Sequence, residues 1–215
     1  MRVAIIGGTG KEGFGLAMRW ARAGVDIIIG SRDAQRAQDA AGKANAAVGA
    51  PRVTGMLNPA AAAEADIVLI SVPFEGHRAM VADLKDAMAG KVLVDITVPV
   101  AFGGVPAVVP VPEGSAAEAA QKLLGPRTPV VAAFQTIPAH LLADAEKPLE
   151  GDVFICGDDA QAKARVVELV QQIGTRAIDC GPLSQTHTLE RMTVLLLYLN
   201  RRLKRRSLTY RLVGL

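Results

Sequence analysis

Glycines carry the densest chemical signal in this chain. Gly7-Gly8-Thr9-Gly10-Lys11-Glu12-Gly13-Phe14-Gly15 follows Val3-Ala4-Ile5-Ile6 without a break and runs into Leu16-Ala17-Met18-Arg19-Trp20-Ala21. Within it, Gly8 to Gly13 fits the spacing G-x-G-x-x-G. Glycines so spaced permit a tight turn, close approach of backbone to a pyrophosphate, and close packing of a helix on a strand. A helix that starts there turns unpaired N–H groups and the positive end of its dipole toward phosphates. Gly8, Thr9, Gly10, Lys11, Glu12 and Gly13 are therefore the candidate residues for a dinucleotide.

A second group reads the dinucleotide's ribose. Val25-Asp26-Ile27-Ile28-Ile29-Gly30 ends in Ser31-Arg32-Asp33, where an NAD enzyme would place an acidic residue to hold both ribose hydroxyls. A hydroxyl and a guanidinium stand there instead. They suit a 2′-phosphate, because arginine gives paired, charge-assisted hydrogen bonds, and Arg36 adds a second cation one helical turn on. NADP is favoured over NAD. The alternative is that Ser31 only caps the next helix and Arg32 is solvated.

The elements that must position these groups alternate strand and helix. The unalternating apolar run before the glycines suits a strand buried on both faces at the centre of a parallel sheet. Further strands are expected at 52–56, 66–73, 91–97 and 129–134, with helices at 33–47, from the cap-and-proline pair Asn58-Pro59, at 75–88 and at 115–124. Ser71-Val72-Pro73, the Pro- and Gly-rich loop 98–112 and Gln135-Thr136-Ile137-Pro138-Ala139 all follow carboxyl ends of strands, where open α/β sheets bind ligands. The fold class is α/β, a Rossmann-type doubly wound parallel sheet. A soft boundary near 140–150 divides a nucleotide domain, residues 1–140, from a small C-terminal domain, 141–215, that closes the cleft. That second part ends in a long helix over 183–203. Its apolar Leu189, Met192, Leu195, Leu196 and Leu199 face the core or a second copy, so a homodimer is expected.

Composition narrows the function. Half of the residues are hydrophobic and 4% aromatic, as in a core of Ala, Val, Leu and Ile. No run approaches the length of a membrane helix and no signal peptide is seen, which points to the cytoplasm. Cys156 and Cys180 lack metal spacing and the histidines His77, His140 and His187 are scattered, so neither metal nor disulfide is expected. The formal charge is +3, but five cations between Arg201 and Arg206 exceed it, so the rest is net negative. One cluster without aromatic or groove-reading motifs does not make a nucleic-acid protein.

These motifs together resemble the NADPH-dependent reductases of coenzyme F420, a 5-deazaflavin hydride carrier. The resemblance covers essentially the whole chain and rests on Gly7-Gly8-Thr9-Gly10 with Gly13 and Gly15, Ile29-Gly30-Ser31-Arg32, Val72-Pro73, Val98-Pro99-Val100, Ile137-Pro138-Ala139, Cys156-Gly157-Asp158-Asp159 and Gly181-Pro182-Leu183-Ser184. It implies hydride transfer between C4 of NADP and C5 of the deazaflavin, with two small-molecule cofactors as substrates. Val72, Pro73, Ile137 and Ala139 would line the nicotinamide and Val98 and Pro99 would face the deazaflavin, while the strand-end position of Ser71 puts its backbone at the cofactor's ribose or pyrophosphate. Leu208, Thr209 and Tyr210 would stand at the ring wall, where the family has smaller residues. No catalytic acid or base is implied, since hydride passage between stacked rings needs close approach and dry walls. A reductase of a flavin or other small acceptor, and a non-catalytic NADP-binding module, are the alternatives.

Overall fold

The computed structural model describes residues 1–215. Its strands are β1 (Arg2–Ile6), β2 (Asp26–Ser31), β3 (Val53–Leu57), β4 (Ile67–Ile70), β5 (Val92–Asp95), β6 (Val100–Ala101), β7 (Ala107–Val108), β8 (Val130–Ala133), β9 (Val153–Gly157) and β10 (Ala177–Asp179). The helices are α1 (Lys11–Arg22), α2 (Ala34–Val48), α3 (Asn58–Glu64), α4 (Phe74–Leu84), α5 (Ala116–Leu124), α6 (Ala139–Ala143), α7 (Ala160–Gln172) and α8 (Thr186–Arg202). Eight strands form one sheet in the order β10-β9-β8-β5-β4-β1-β2-β3. Every pairing is parallel except β8 with β9.

The chain reverses direction across the sheet between β1 and β4. From β1 it proceeds outward to β2 and β3, then returns to β4 on the other side. Such a switch leaves a crevice at the carboxyl ends of the two strands, which are Ile6 and Ile70 in register. The β1 side chains alternate between two cores: Val3 and Ile5 join the face covered by α1, α2 and α7, and Ala4 and Ile6 the face covered by α3, α4 and α5. Both faces are buried, which is why the strand reads as an unbroken apolar run.

Residues beyond 140 add to the same sheet. Ala133 of β8 pairs with Ile155 of β9, so hydrogen bonds cross the stretch where composition turns polar. The Pro- and Gly-rich loop contains the small antiparallel pair β6/β7, Val100 against Val108. Leu183–Gln185 is a 3-10 turn, and α8 starts only at Thr186. Of its apolar residues, Leu189 and Leu196 are buried whereas Leu195 is 49% exposed. No helix is long and apolar enough to cross a membrane.

After α8 the chain folds back as a strap. Thr209 Oγ1 donates to Thr136 O at 3.1 Å, Asp152 N–H donates to Tyr210 O at 2.8 Å, and Leu212 N–H donates to Asp152 Oδ2 at 2.7 Å. Arg176 completes the knot with two 2.8 Å bonds to Asp152 and one to Leu212 O. Cys156, near the end of β9, and Cys180, just after β10, are both free thiols. The Cys180 thiol donates to Ile178 O at 3.6 Å.

Candidate functional site

The glycine turn folds on itself before it presents anything. Gly8 N–H donates to Ile5 O at 3.1 Å and Gly10 N–H to Gly7 O at 2.9 Å. Gly7 has φ +78, and a Cβ there would lie 2.5 Å from Ser71 O, so only glycine lets the ends of β1 and β4 come this close. A Cβ on Gly13 would lie 3.0 Å from both Gly8 Cα and Ile5 Cγ2, so this glycine serves helix-on-strand packing. The first N–H of α1 taken by a backbone carbonyl is that of Phe14, by Gly10 O at 2.8 Å. Those of Lys11, Glu12 and Gly13 have no protein partner, as at any helix start.

Two adjoining cavities open at these strand ends. The smaller, about 410 Å³, is lined by Gly7, Thr9, Gly10, Ser31, Arg32, Asp33, Arg36, Asn58, Ser71, Val72, Pro73, Gly76 and Met80. The larger, about 790 Å³, is lined among others by Lys11, Glu12, Val98, Val100, Ile137, Ala139, Leu196 and Leu197. Gly10, Ser71, Val72 and Pro73 belong to both walls. Thr9, Ser31, Arg32 and Arg36 thus gather in the small cavity, and Lys11, Glu12, Val98, Ile137 and Ala139 in the large one. Gly8, Gly13 and Pro99 line neither and are buried beside them. Leu208, Thr209 and Tyr210 line neither as well, because the strap turns the Thr209 and Tyr210 hydroxyls onto the carbonyls of Thr136 and Met192.

The cap of α2 differs from the simplest sequence reading. Asp33, not Ser31, accepts the Arg36 N–H at 3.1 Å, while Ser31 Oγ accepts the Asp33 N–H at 3.2 Å. Asn58 likewise is not a cap. It is the first residue of α3, its Nδ2 faces Met80 Sδ at 3.6 Å, and its Oδ1 is buried without a partner in the wall of the small cavity.

Two further orphaned atoms, Thr97 Oγ1 and Gln135 Oε1, are buried on residues that line the large cavity, each residue 5% exposed. Sequence reading placed Gln135 in a ligand-side segment but gave neither side chain a role. Gln135 is aimed by the preceding Phe134, a bulky residue at φ 71, where side chains other than glycine are strained. Phe134 is held by Trp20, edge to face at a centroid distance of 5.7 Å. Gln135 Nε2 donates to Asp95 O at 2.8 Å, and Thr97 N–H donates to Asp95 Oδ1 at 2.9 Å. Asp95 Oδ2 stands 2.6 Å from His77 Nε2, both residues out of water. Burial pulls the His77 imidazole down, but the Asp95 carboxylate outweighs it, with help from Glu190, and the net shift is upward. Burial pushes the Glu190 carboxyl up to about 7 and that of Glu12 up to about 8.

The wall after Gln135 is fixed from α1. The buried Arg19 guanidinium donates to the carbonyls of Leu141, Leu142, Asp144 and Lys147, which secures the segment that follows Ile137 to Ala139. Gly15 gives Leu142 room: a Cβ there would sit 2.6 Å from Leu142 Cβ.

Orphaned acceptors, free helix N–H groups and exposed guanidiniums around paired cavities fit an elongated ligand set with phosphates and planar amide-bearing rings. Comparison with known proteins gives concordant results. Residues 2–99 match the family model described as NADP oxidoreductase, coenzyme F420-dependent. The chain is 40% identical over 222 residues to an F420-dependent NADP reductase of Methanothermobacter thermautotrophicus, covering 100% of this chain and 96% of that one. It is 40% identical over 223 residues to the protein of that name in Methanocaldococcus jannaschii, covering 100% and 99%. A crystal structure from Arthrobacter sp. FB24, given provisionally as an F420-dependent NADP reductase, superposes with TM-score 0.83 at 27% identity over 98% of each chain.

Proposed function

The chain belongs to the family of F420-dependent NADP reductases, and we propose that it holds the nicotinamide and deazaflavin rings against each other in the larger cavity, with no acid or base residue in the hydride step. It is an oxidoreductase whose cofactors are NADP and coenzyme F420. When both are bound, hydride moves reversibly between C4 of the nicotinamide and C5 of the deazaflavin, with one proton taken up on deazaflavin reduction.

The observation that carries this reading is the shared wall. Gly10, Ser71, Val72 and Pro73 border both cavities, so one extended dinucleotide can lie across them with its phosphates at the glycine turn. In the small cavity Arg32 and Arg36 supply cations for a 2′-phosphate and Ser31 a hydroxyl. The free N–H groups of Lys11, Glu12 and Gly13 take the pyrophosphate. In the large cavity Val72, Pro73, Ile137 and Ala139 line the nicotinamide side and Val98 the deazaflavin side. Pro99, buried, fixes the backbone that presents Val98, and the fold role of Gly8 and Gly13 is to let α1 start close to β1. Thr97 Oγ1 and Gln135 Oε1 give ring amide groups the partners that the protein withholds from these two atoms. Apolar Val100, Leu196 and Leu197 keep the meeting point dry.

A homodimer through the exposed Leu195 side of α8 is part of the same proposal, and a monomeric mass by light scattering removes it. Direct passage is tested with NADPH deuterated at C4. The label is expected at C5 of the reduced deazaflavin in ordinary water, and its loss to solvent would contradict ring-to-ring transfer.

A further inference from the structure

The cations at the end of α8 are not absorbed by that reading. Arg201, Arg202, Lys204, Arg205 and Arg206 are all exposed, and none forms an ion pair with a carboxylate. The helix dipole accounts for Arg201 and Arg202, which lie in the last turn. Arg201 also reaches across to donate to Gly104 O, between β6 and β7, and Arg202 donates to Tyr198 Oη at 3.2 Å. Arg205 and Arg206 lie beyond the helix, where its dipole explains nothing.

Their direction is set by Lys204. Arg205 N–H donates to Asn200 O at 2.8 Å and Lys204 N–H to Arg201 O at 3.4 Å, the two bonds of a helix-ending reversal whose left-handed position is usually glycine. Here that position is Lys204, at φ 51. The reversal brings Arg205 and Arg206 back into the wall of the larger cavity, beside Asn200. The strap then holds the turned chain: Leu208 N–H donates to Asn200 Oδ1 at 3.2 Å. Two unpaired guanidiniums are thereby fixed at the rim of a largely apolar cleft.

We propose that Arg205 and Arg206, with Arg201, Arg202 and Lys204 around them, form a subsite for the phosphate and carboxylates of the flexible tail of the deazaflavin coenzyme, and so favour tails with several negative charges. The inference rests on the reductase reading above and adds which part of the substrate is selected. The deazaflavin head is a planar ring suited to the apolar cleft, while its tail joins a phosphate to a run of glutamates. Guanidiniums bind both groups through charge-assisted, often paired hydrogen bonds. Because the rim is open to solvent, the selection is sensitive to salt.

The test compares the full-length protein with coenzyme F420 of defined glutamate number and with the tailless deazaflavin head, at saturating NADPH. The ratio of kcat/KM for tailed over tailless substrate is expected to exceed one, to grow with glutamate number, and to shrink as ionic strength rises. In the double variant Arg205→Ala/Arg206→Ala the ratio should fall about tenfold, a modest figure for two exposed charge-assisted contacts. Arg205→Lys/Arg206→Lys should restore part of it. A ratio near one in the natural chain, or one that the double variant leaves unchanged, would overturn the proposal. A raised KM for NADPH with the ratio intact would assign the arginines to the nucleotide and overturn it too. No turnover of either the tailed coenzyme or the tailless head by the natural chain would instead bring down the underlying reductase reading, and the tail subsite with it.

Discussion

Gln135 gives its side-chain N–H to the Asp95 carbonyl oxygen at 2.8 Å and leaves its own carbonyl oxygen buried without a partner. The carboxylate of the same Asp95 is divided between the Thr97 N–H and His77. One aspartate at the end of β5 thus holds the Gln135 side chain and the Thr97 backbone, and each of these two residues carries a buried polar atom without a partner.

Thr97 offers a clean separation of folding from function. Its Oγ1 makes no internal hydrogen bond, so Thr97→Val should leave stability unchanged or raise it by up to about 1 kcal/mol. If a bound ring uses that hydroxyl, kcat/KM should drop by about 5- to 30-fold, equivalent to one hydrogen bond. Thermal melts and steady-state rates on the same sample check both. A destabilised protein with normal kinetics would show that the hydroxyl serves the fold.

Arg32 and Arg36 face the small cavity with Ser31. Arg32→Ala should raise KM for NADPH by about 10- to 100-fold, the loss of a charge-assisted contact of roughly 1.5–3 kcal/mol, with little effect on NADH. Parallel titrations with the two nucleotides decide it. Equal effects on both would mean that Arg32 does not read a 2′-phosphate.

Stability should fall as pH rises from about 5 to 8. Glu190 is raised from 4.5 to about 7, Glu12 from 4.5 to about 8, and His77 above 6.5. In each case the folded state binds the proton more tightly than the unfolded chain, so stability is complete below the unfolded value and is lost through the folded one. Glu12 is partly open to the cavity and contributes less than Glu190, which is 1% exposed. Glu190→Gln keeps an acceptor for the Ala116 N–H, now 2.9 Å from the carboxylate, and should recover up to about 3 kcal/mol at pH 8. Melting temperatures measured across this range that stay flat or rise would contradict the assignment.

Gly7 tests the shared wall. Gly7→Ala places a methyl 2.5 Å from Ser71 O at a positive φ, and should cost about 2–4 kcal/mol by strain and overpacking. Since Ser71 and Val72 border both cavities, KM for NADPH should rise with it. Denaturant melts and NADPH titrations check the pair, and an undisturbed KM would mean that the wall does not touch the nucleotide.

What was legible in the sequence was local. The run from Val3 through the glycines to Ala21 contains its own strand, turn and helix, and Arg32 follows β2 directly. What escaped reading depends on contacts across the chain. His77 looks isolated until β5 brings Asp95 to it. Asn58 before Pro59 has the pattern of a cap, but β3 continues to Leu57 and leaves Asn58 inside the helix. Gln135 and Thr97 are ordinary polar residues in sequence, and only the partners taken by Asp95 reveal which of their atoms are free. Leu208 to Tyr210 do not line the cavities but back residues that do, Thr209 donating to Thr136 O and Leu208 N–H to Asn200 Oδ1, an arrangement that no local pattern announces.

The most direct measurement is anaerobic stopped-flow absorbance of the protein with NADPH and oxidised coenzyme F420, with NADH and FMN as separate controls. The predicted result is rapid bleaching of the deazaflavin band with NADPH, slow change with NADH, and no comparable reduction of FMN. A deazaflavin band that persists while FMN is reduced would contradict the account.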